Sequence, residues 1–76
     1  MSNYGIYNMM FNNCSHLENR IKESLTKHCA KIYNIEVYVG NEESGEYQLY
    51  VEYSILGNYH NYKVMMTEEK IMKHFI

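Results

Sequence analysis

Between Tyr47 and Met66 the chain spells out one structure with little freedom to adopt another. Tyr47, Leu49, Val51, Tyr53 and Ile55 are apolar at every second position, and Tyr62, Val64 and Met66 resume the alternation beyond the pair Gly57-Asn58. Alternation of period 2 on either side of a two-residue Gly-X loop specifies a β-hairpin. With Gly57 and Asn58 as the loop, Leu56 faces Tyr59. Counting outward then places Val51 opposite Val64, Tyr53 opposite Tyr62, Tyr50 opposite Met65, and Glu52 opposite Lys63 as a cross-strand ion pair. A one-residue slip would turn every side chain to the wrong face, so the pattern constrains register as well as element.

The rest of the chain is read outward from this hairpin. Ser15-His16-Leu17-Glu18 has the form of a capping box and opens a helix expected over residues 15–32. Leu17, Ile21, Leu25, His28 and Ile32 form its apolar stripe, with Cys29 at the margin, as a helix laid on a sheet requires. His28, central in that stripe, reads as a hydrogen-bonded core residue. Beside it Arg20, Lys27 and Lys31 form a basic line with two readings: aliphatic stems covering the core edge with their charges in water, or a site for phosphate or an acidic partner.

Ile35, Val37 and Val39 alternate with Glu36 and Tyr38, and Val39 falls near Tyr47, which completes a three-stranded antiparallel meander over 34–66. Thr67 caps a last helix over 67–75, with Glu68 and Glu69 at its positive end and Met66 and Ile71 placed as a hydrophobic staple. Residues 1–13 fit a short strand or an ordered arm, able to protect a sheet edge or to pair with a second copy. The expected fold is a two-layer α+β domain spanning residues 1–76: a meander with one face covered by two helices, in the order α-β-β-β-α.

Composition bounds the function classes. A chain of 76 residues makes one small core that buries roughly 60–65% of the unfolded surface. Cys14 and Cys29 are too few for a disulfide framework, which points to a reducing interior. No apolar run approaches the ~18 residues of a membrane span, and no basic-then-apolar leader opens the chain, so a soluble, cytoplasmic protein is expected. A net charge of −2 disfavours indiscriminate nucleic-acid binding. Nine Tyr, nine Asn, seven Ile and six Lys stand beside one Ala and no Pro, Asp or Trp. That is the signature of AT-rich coding, as in a low-GC bacterium, its phage, or some viruses.

Two helices cover one face of such a sheet and leave the other, which would carry Glu36, Tyr38, Gln48, Tyr50, Glu52, Tyr59, Lys63 and Met65. Tyr38, Tyr50, Tyr59 and Met65 grouped there have the make-up of an interface centre with Glu36 and Glu52 in a charged rim, against the alternative of a solvated face or one covered by the N-terminal arm. Glu42, Glu43 and Glu46 between the first two strands would steer a basic partner.

Catalysis finds little footing. Cys14 and His16 are separated from His28 and Cys29 by about 18 Å along the expected helix, so the four cannot share one metal ion. Cys14 precedes a helix start, where thiols are activated, but no base accompanies it in sequence. No Gly-rich phosphate loop, HExxH or GxSxG occurs. A non-enzyme without cofactor or metal is the expectation.

The element order and size resemble the double-stranded RNA-binding domain. That family grips phosphate with a Lys-rich cluster at the start of its last helix, where this chain has Thr67-Glu68-Glu69-Lys70, so the resemblance implies topology more than RNA binding. A nucleic-acid-binding or regulatory module of this kind would use Arg20, Lys27 and Lys31. Stacking of single strands on Tyr38 and Tyr50 would meet Glu36 and Glu52, with Lys63 alone to contact phosphate. The chain also resembles small phage-encoded anti-CRISPR proteins, some of which are single acidic domains with a helix, a three-stranded sheet and a final helix. That resemblance implies a stoichiometric inhibitor from a phage or mobile element, with a host protein such as a nuclease complex as partner and the host cytoplasm as its location. A homodimer through the open face or an edge strand is compatible with either reading.

Overall fold

The computed structural model describes residues 13–76, so the expectation for the N-terminal arm lies outside the described residues except at Asn13. The elements are α1 (Ser15–Lys27), β1 (Lys31–Asn41), β2 (Glu46–Ile55), β3 (Asn58–Thr67) and α2 (Glu68–Phe75). The three strands form one antiparallel sheet in the order β1-β2-β3. This is the α-β-β-β-α arrangement that the hydrophobic periods demand.

Leu17, Ile21 and Leu25 recur once per turn of α1 and are all buried. They meet Val37, Leu49, Val51 and Tyr53 from the sheet and Ile71 and Phe75 from α2, and these nine side chains form the core among the described residues. The Ser24 hydroxyl donates to the Phe75 carbonyl at 2.5 Å and ties the two helices together. Thr67 caps α2 as its sequence predicts, its hydroxyl accepting from the Lys70 N–H.

Both ends of α1 depart from expectation. Ser15 is already helical and Cys14 holds the cap position with no side-chain bond, so no capping box forms. The Glu18 carboxylate turns to the sheet instead, accepting the Val37 N–H at 2.8 Å and the Asn13 side-chain amide at 2.5 Å. A partner on β1 replaces the helix's own backbone.

At the other end α1 stops at Lys27, five residues before Ile32, the expected limit. Cys29 takes a left-handed φ of 59°. The Ala30 N–H reaches the Leu25 carbonyl and the Cys29 N–H the Thr26 carbonyl, the paired bonds of a Schellman ending. His28 is therefore exposed in a turn rather than buried, and Lys31 and Ile32 belong to β1. The basic line Arg20, Lys27, Lys31 does not exist as a helical stripe.

The β2–β3 register also differs from expectation, by two residues. Ile55 pairs with Asn58, Val51 with Tyr62, Leu49 with Val64 and Tyr50 with Lys63. The loop is thus Leu56-Gly57, with φ of 52° and 82°, the backbone of a type I′ hairpin turn. A shift of two keeps each side chain on its face, so the alternation alone cannot choose between the registers. The observed one pairs β2 with β3 along the whole of both strands, from Ile55 opposite Asn58 to Glu46 opposite Thr67. Val39 pairs with Tyr47 as expected.

Candidate interaction surface

Side chains of a strand alternate between faces, so the residues between the core positions all emerge opposite the helices. They lie in rows across β1, β2 and β3. Asn34, Glu52 and Asn61 make one row, Glu36, Tyr50 and Lys63 the next, and Tyr38, Gln48 and Met65 a third. Glu46 closes the sheet toward the β1–β2 loop, and Ser54 with Tyr59 lies toward the β2–β3 turn. Among the described residues nothing packs over this face.

The expected group Tyr38, Tyr50, Tyr59 and Met65 is brought together here, and the structure adds a fourth tyrosine. The β1 register shifts between Ile32 and Asn34, which leaves Tyr33 as the extra residue of a bulge. Its hydroxyl lies 3.4 Å from the Ser54 hydroxyl and its ring centroid 6.2 Å from that of Tyr59. Small Ser54, on the strand between them, lets the two rings lean toward each other. Tyr38 and Tyr50 form a second pair, edge to face at 6.2 Å.

Each pair carries one lysine and one carboxylate. Lys31 Nζ stands 5.6 Å from the Tyr33 ring centroid and Lys63 Nζ 5.9 Å from that of Tyr50, within cation–π range. The Tyr59 hydroxyl donates to Glu52, and the Tyr38 hydroxyl donates to Glu36 at 2.6 Å. Glu36 also accepts from the Asn34 amide at 2.8 Å. These hydroxyl and amide donors hold the Glu36 carboxyl below its ordinary value, with partial burial opposing them. The same bond is the main reason the Tyr38 phenol is pushed up to about 12. The bond to Glu52 raises Tyr59 likewise. The expected Glu52–Lys63 pair is replaced by two kinds of contact, carboxylate to hydroxyl and ammonium to ring.

Gly40 has a specific use on this face. A Cβ placed there would stand 2.6 Å from the Met65 Cε, so the Met65 side chain reaches across β2 into space that only glycine leaves. Met65 and Tyr59 remain 44% and 57% exposed and Tyr33 51%, enough ring and thioether surface to meet a partner. Glu42 and Glu43 are exposed in the β1–β2 loop, where the Asn41 side-chain carbonyl accepts the Glu43 and Ser44 N–H groups and the Ser44 hydroxyl donates to Glu46. The acidic group thus sits at the Met65 end of the face, on an ordered turn.

Of the residues read as a basic line, Arg20 and Lys27 are exposed on α1 on the far side of the sheet, and Lys31 is with the tyrosines. Cys14 is half-buried and Cys29 exposed, both as free thiols at opposite ends of α1. Among the described residues no group of three or more His, Cys, Asp or Glu side chains is placed to hold a metal ion. No helix among them is long and apolar enough to cross a membrane. Tyr33 was hidden in sequence because residues 28–32 continued the apolar period of α1. The run Lys31-Ile32-Tyr33-Asn34-Ile35, with its β-branched and aromatic residues, was the signal that could have placed it on a strand.

A tyrosine with a phenol near 12 stays protonated at neutral pH and serves as a fixed donor and a contact plate. Each ring is held by neighbouring side chains on the sheet. No family model matches this chain, no curated protein matches it, and no solved structure matches it.

Proposed function

We propose that the chain is a non-enzymatic binding protein that seats a protein partner on the tyrosine face of its sheet and acts as an inhibitor. One observation carries this reading: Tyr33, Tyr38, Tyr50 and Tyr59 share a face that is open among the described residues, and hydroxyl–carboxylate bonds and lysine–ring contacts already fix their rings. Rigid aromatic area loses little entropy on binding, which is why tyrosine is favoured in recognition surfaces. Glu42, Glu43 and Glu46 favour a partner with a basic margin near the Met65 end. The finer reading, an anti-defence protein of a phage or mobile element that blocks a host nuclease complex, rests on the α-β-β-β-α order and the AT-rich coding.

The competing nucleic-acid reading draws on Lys31 and Lys63, which lie over rings as cations do in single-strand channels. Glu36, Glu46 and Glu52 on the same face oppose a phosphate backbone, and Glu68 and Glu69 open α2. The protein-partner reading is therefore preferred.

Affinity capture from a low-GC bacterial lysate, with and without nuclease, tests both. The expected result is one stoichiometric protein that survives nuclease and is lost with a Tyr33→Ala/Tyr50→Ala double variant that still folds. A heterogeneous, nuclease-sensitive capture whose affinity falls steeply with salt would establish the nucleic-acid reading instead. A captured protein unrelated to nuclease complexes would keep the binding function and remove the anti-defence one.

A further inference from the structure

The two edges of the sheet are treated differently. On the outer side of β1, Asn13 bridges to Tyr38, the Cys14 N–H donates to the Val37 carbonyl at 2.7 Å, and the Glu18 carboxylate takes the Val37 N–H. The strand is further broken by register shifts at Tyr33 and Gly40. Bulges, covering segments and charges are how sheets prevent further pairing. The outer edge of β3 has almost none of these. It runs Asn58–Thr67 in unbroken register, contains no proline, carries Lys63 as its one Lys, Arg, Asp or Glu, and meets no backbone of any other described segment. Tyr59, Val64 and Met65 on this strand are exposed.

We propose that β3 pairs antiparallel with β3 of a second copy about a twofold axis through Tyr62, joining two sheets into one six-stranded sheet. The sequence of β3 selects that axis. About Tyr62, Asn61 faces Lys63 of the second copy, Tyr59 faces Met65 and His60 faces Val64, and pairing extends from Asn58 to Met66. An axis through Lys63 would set the two lysines against each other, which is destabilising. An axis through Asn61 would shorten the ladder to the span 58–64.

A second feature fits the same axis. Leu56 is 94% exposed at the tip of the hairpin turn. Pairing of Asn58 with Met66 carries that tip beside the groove that Met66 lines with Lys70, Lys73 and His74. The knob and the groove lie at the two ends of one strand, so a twofold axis satisfies both copies at once. The dimer presents two tyrosine faces on the same side. It does not depend on what those faces bind.

Sedimentation equilibrium of the full chain is the test. The expected mass is twice 9.1 kDa at high concentration, with reversible dissociation on dilution. Asn61→Lys should weaken association and Asn61→Glu strengthen it, each by about tenfold because the axis creates the Asn61–Lys63 pair twice. Within one chain Asn61 faces Glu52, so the effects of these variants on monomer stability run the opposite way and cannot imitate the association result. Amide exchange supplies a readout without substitution: protection along β3 should rise with concentration while that of β1 does not. A monomer at every concentration, or a dimer indifferent to both Asn61 variants, would overturn the proposal.

Discussion

Leu49 and Tyr50 are neighbours on β2 and look in opposite directions. Leu49 is fully buried under the helices, and among the described residues no buried polar side chain lacks a partner. Tyr50 faces outward among rings, ammonium groups and carboxylates. Both sides of the sheet are rich in aromatic or aliphatic surface, but they are held by different forces. The helix side is fixed by exclusion of water and close packing, whereas the tyrosine side is fixed by hydrogen bonds that orient rings without hiding them. Stability and the proposed recognition surface thereby fall on alternate residues of the same strands. Surface chemistry can change without dismantling the fold.

The comparison breaks most visibly by truncating the two neighbours in turn. Leu49→Ala should cost about 2–5 kcal/mol through lost burial and a cavity, a fall of 10 °C or more, roughly, in the melting temperature of a chain this small. Tyr50→Ala should cost about 1 kcal/mol or less. Urea unfolding that showed equal losses would mean that Tyr50 is structural and the outer face is a second core.

A titration sharpens the same contrast. Hydrogen bonding to Glu36, helped by burial and nearby negative charge, lifts Tyr38 from an ordinary 10.0 to about 12. A phenol raised in this way lends stability that is complete below pH 10 and is lost as pH rises through about 12. Glu36 acts at the acid end, since its lowered carboxyl contributes above the ordinary carboxylate range and fades as pH falls through its folded value. Glu36→Gln should bring the last tyrosinate absorbance step back toward 10.0. An unchanged titration would show that the hydroxyl–carboxylate bond does not hold the ring.

The smallest expected effect lies where neither face is involved. Leu56 carries a left-handed backbone that suits Asn or Gly. Leu56→Asn should raise stability by about 0.5–1 kcal/mol without disturbing either face. A loss instead would show that the leucine side chain earns its place within the monomer.

Alternation along β2 and β3 made the sheet, its two faces and most of the tyrosine group legible, and Thr67 announced α2. Other features depended on partners far away in sequence. Glu18 looked like half of a capping box because its true partner, Val37, is across the interface between α1 and β1. The end of α1 was masked because its left-handed residue is Cys29, where glycine is the usual mark. Without a glycine there, Ile32 continues the helical period in sequence and Tyr33 falls outside the strand pattern. The hairpin register was ambiguous for a plainer reason: a shift of two residues preserves inside and outside.

The hydrogen bond between Ser24 and Phe75 has a consequence for how the chain is made. The residues that close the core, Ile71 and Phe75, are translated after every other core residue. At about 5–20 residues per second, roughly 3–10 s separate the synthesis of Leu25 from that of Phe75. Until Phe75 is made, the core side chains already synthesised, Leu17 and Ile21 first and then Val37 and Leu49, lack their lid, and a nascent chain in this state is expected to offer a chaperone a brief apolar handhold. Resistance to capture is expected to follow once α2 folds back onto the core.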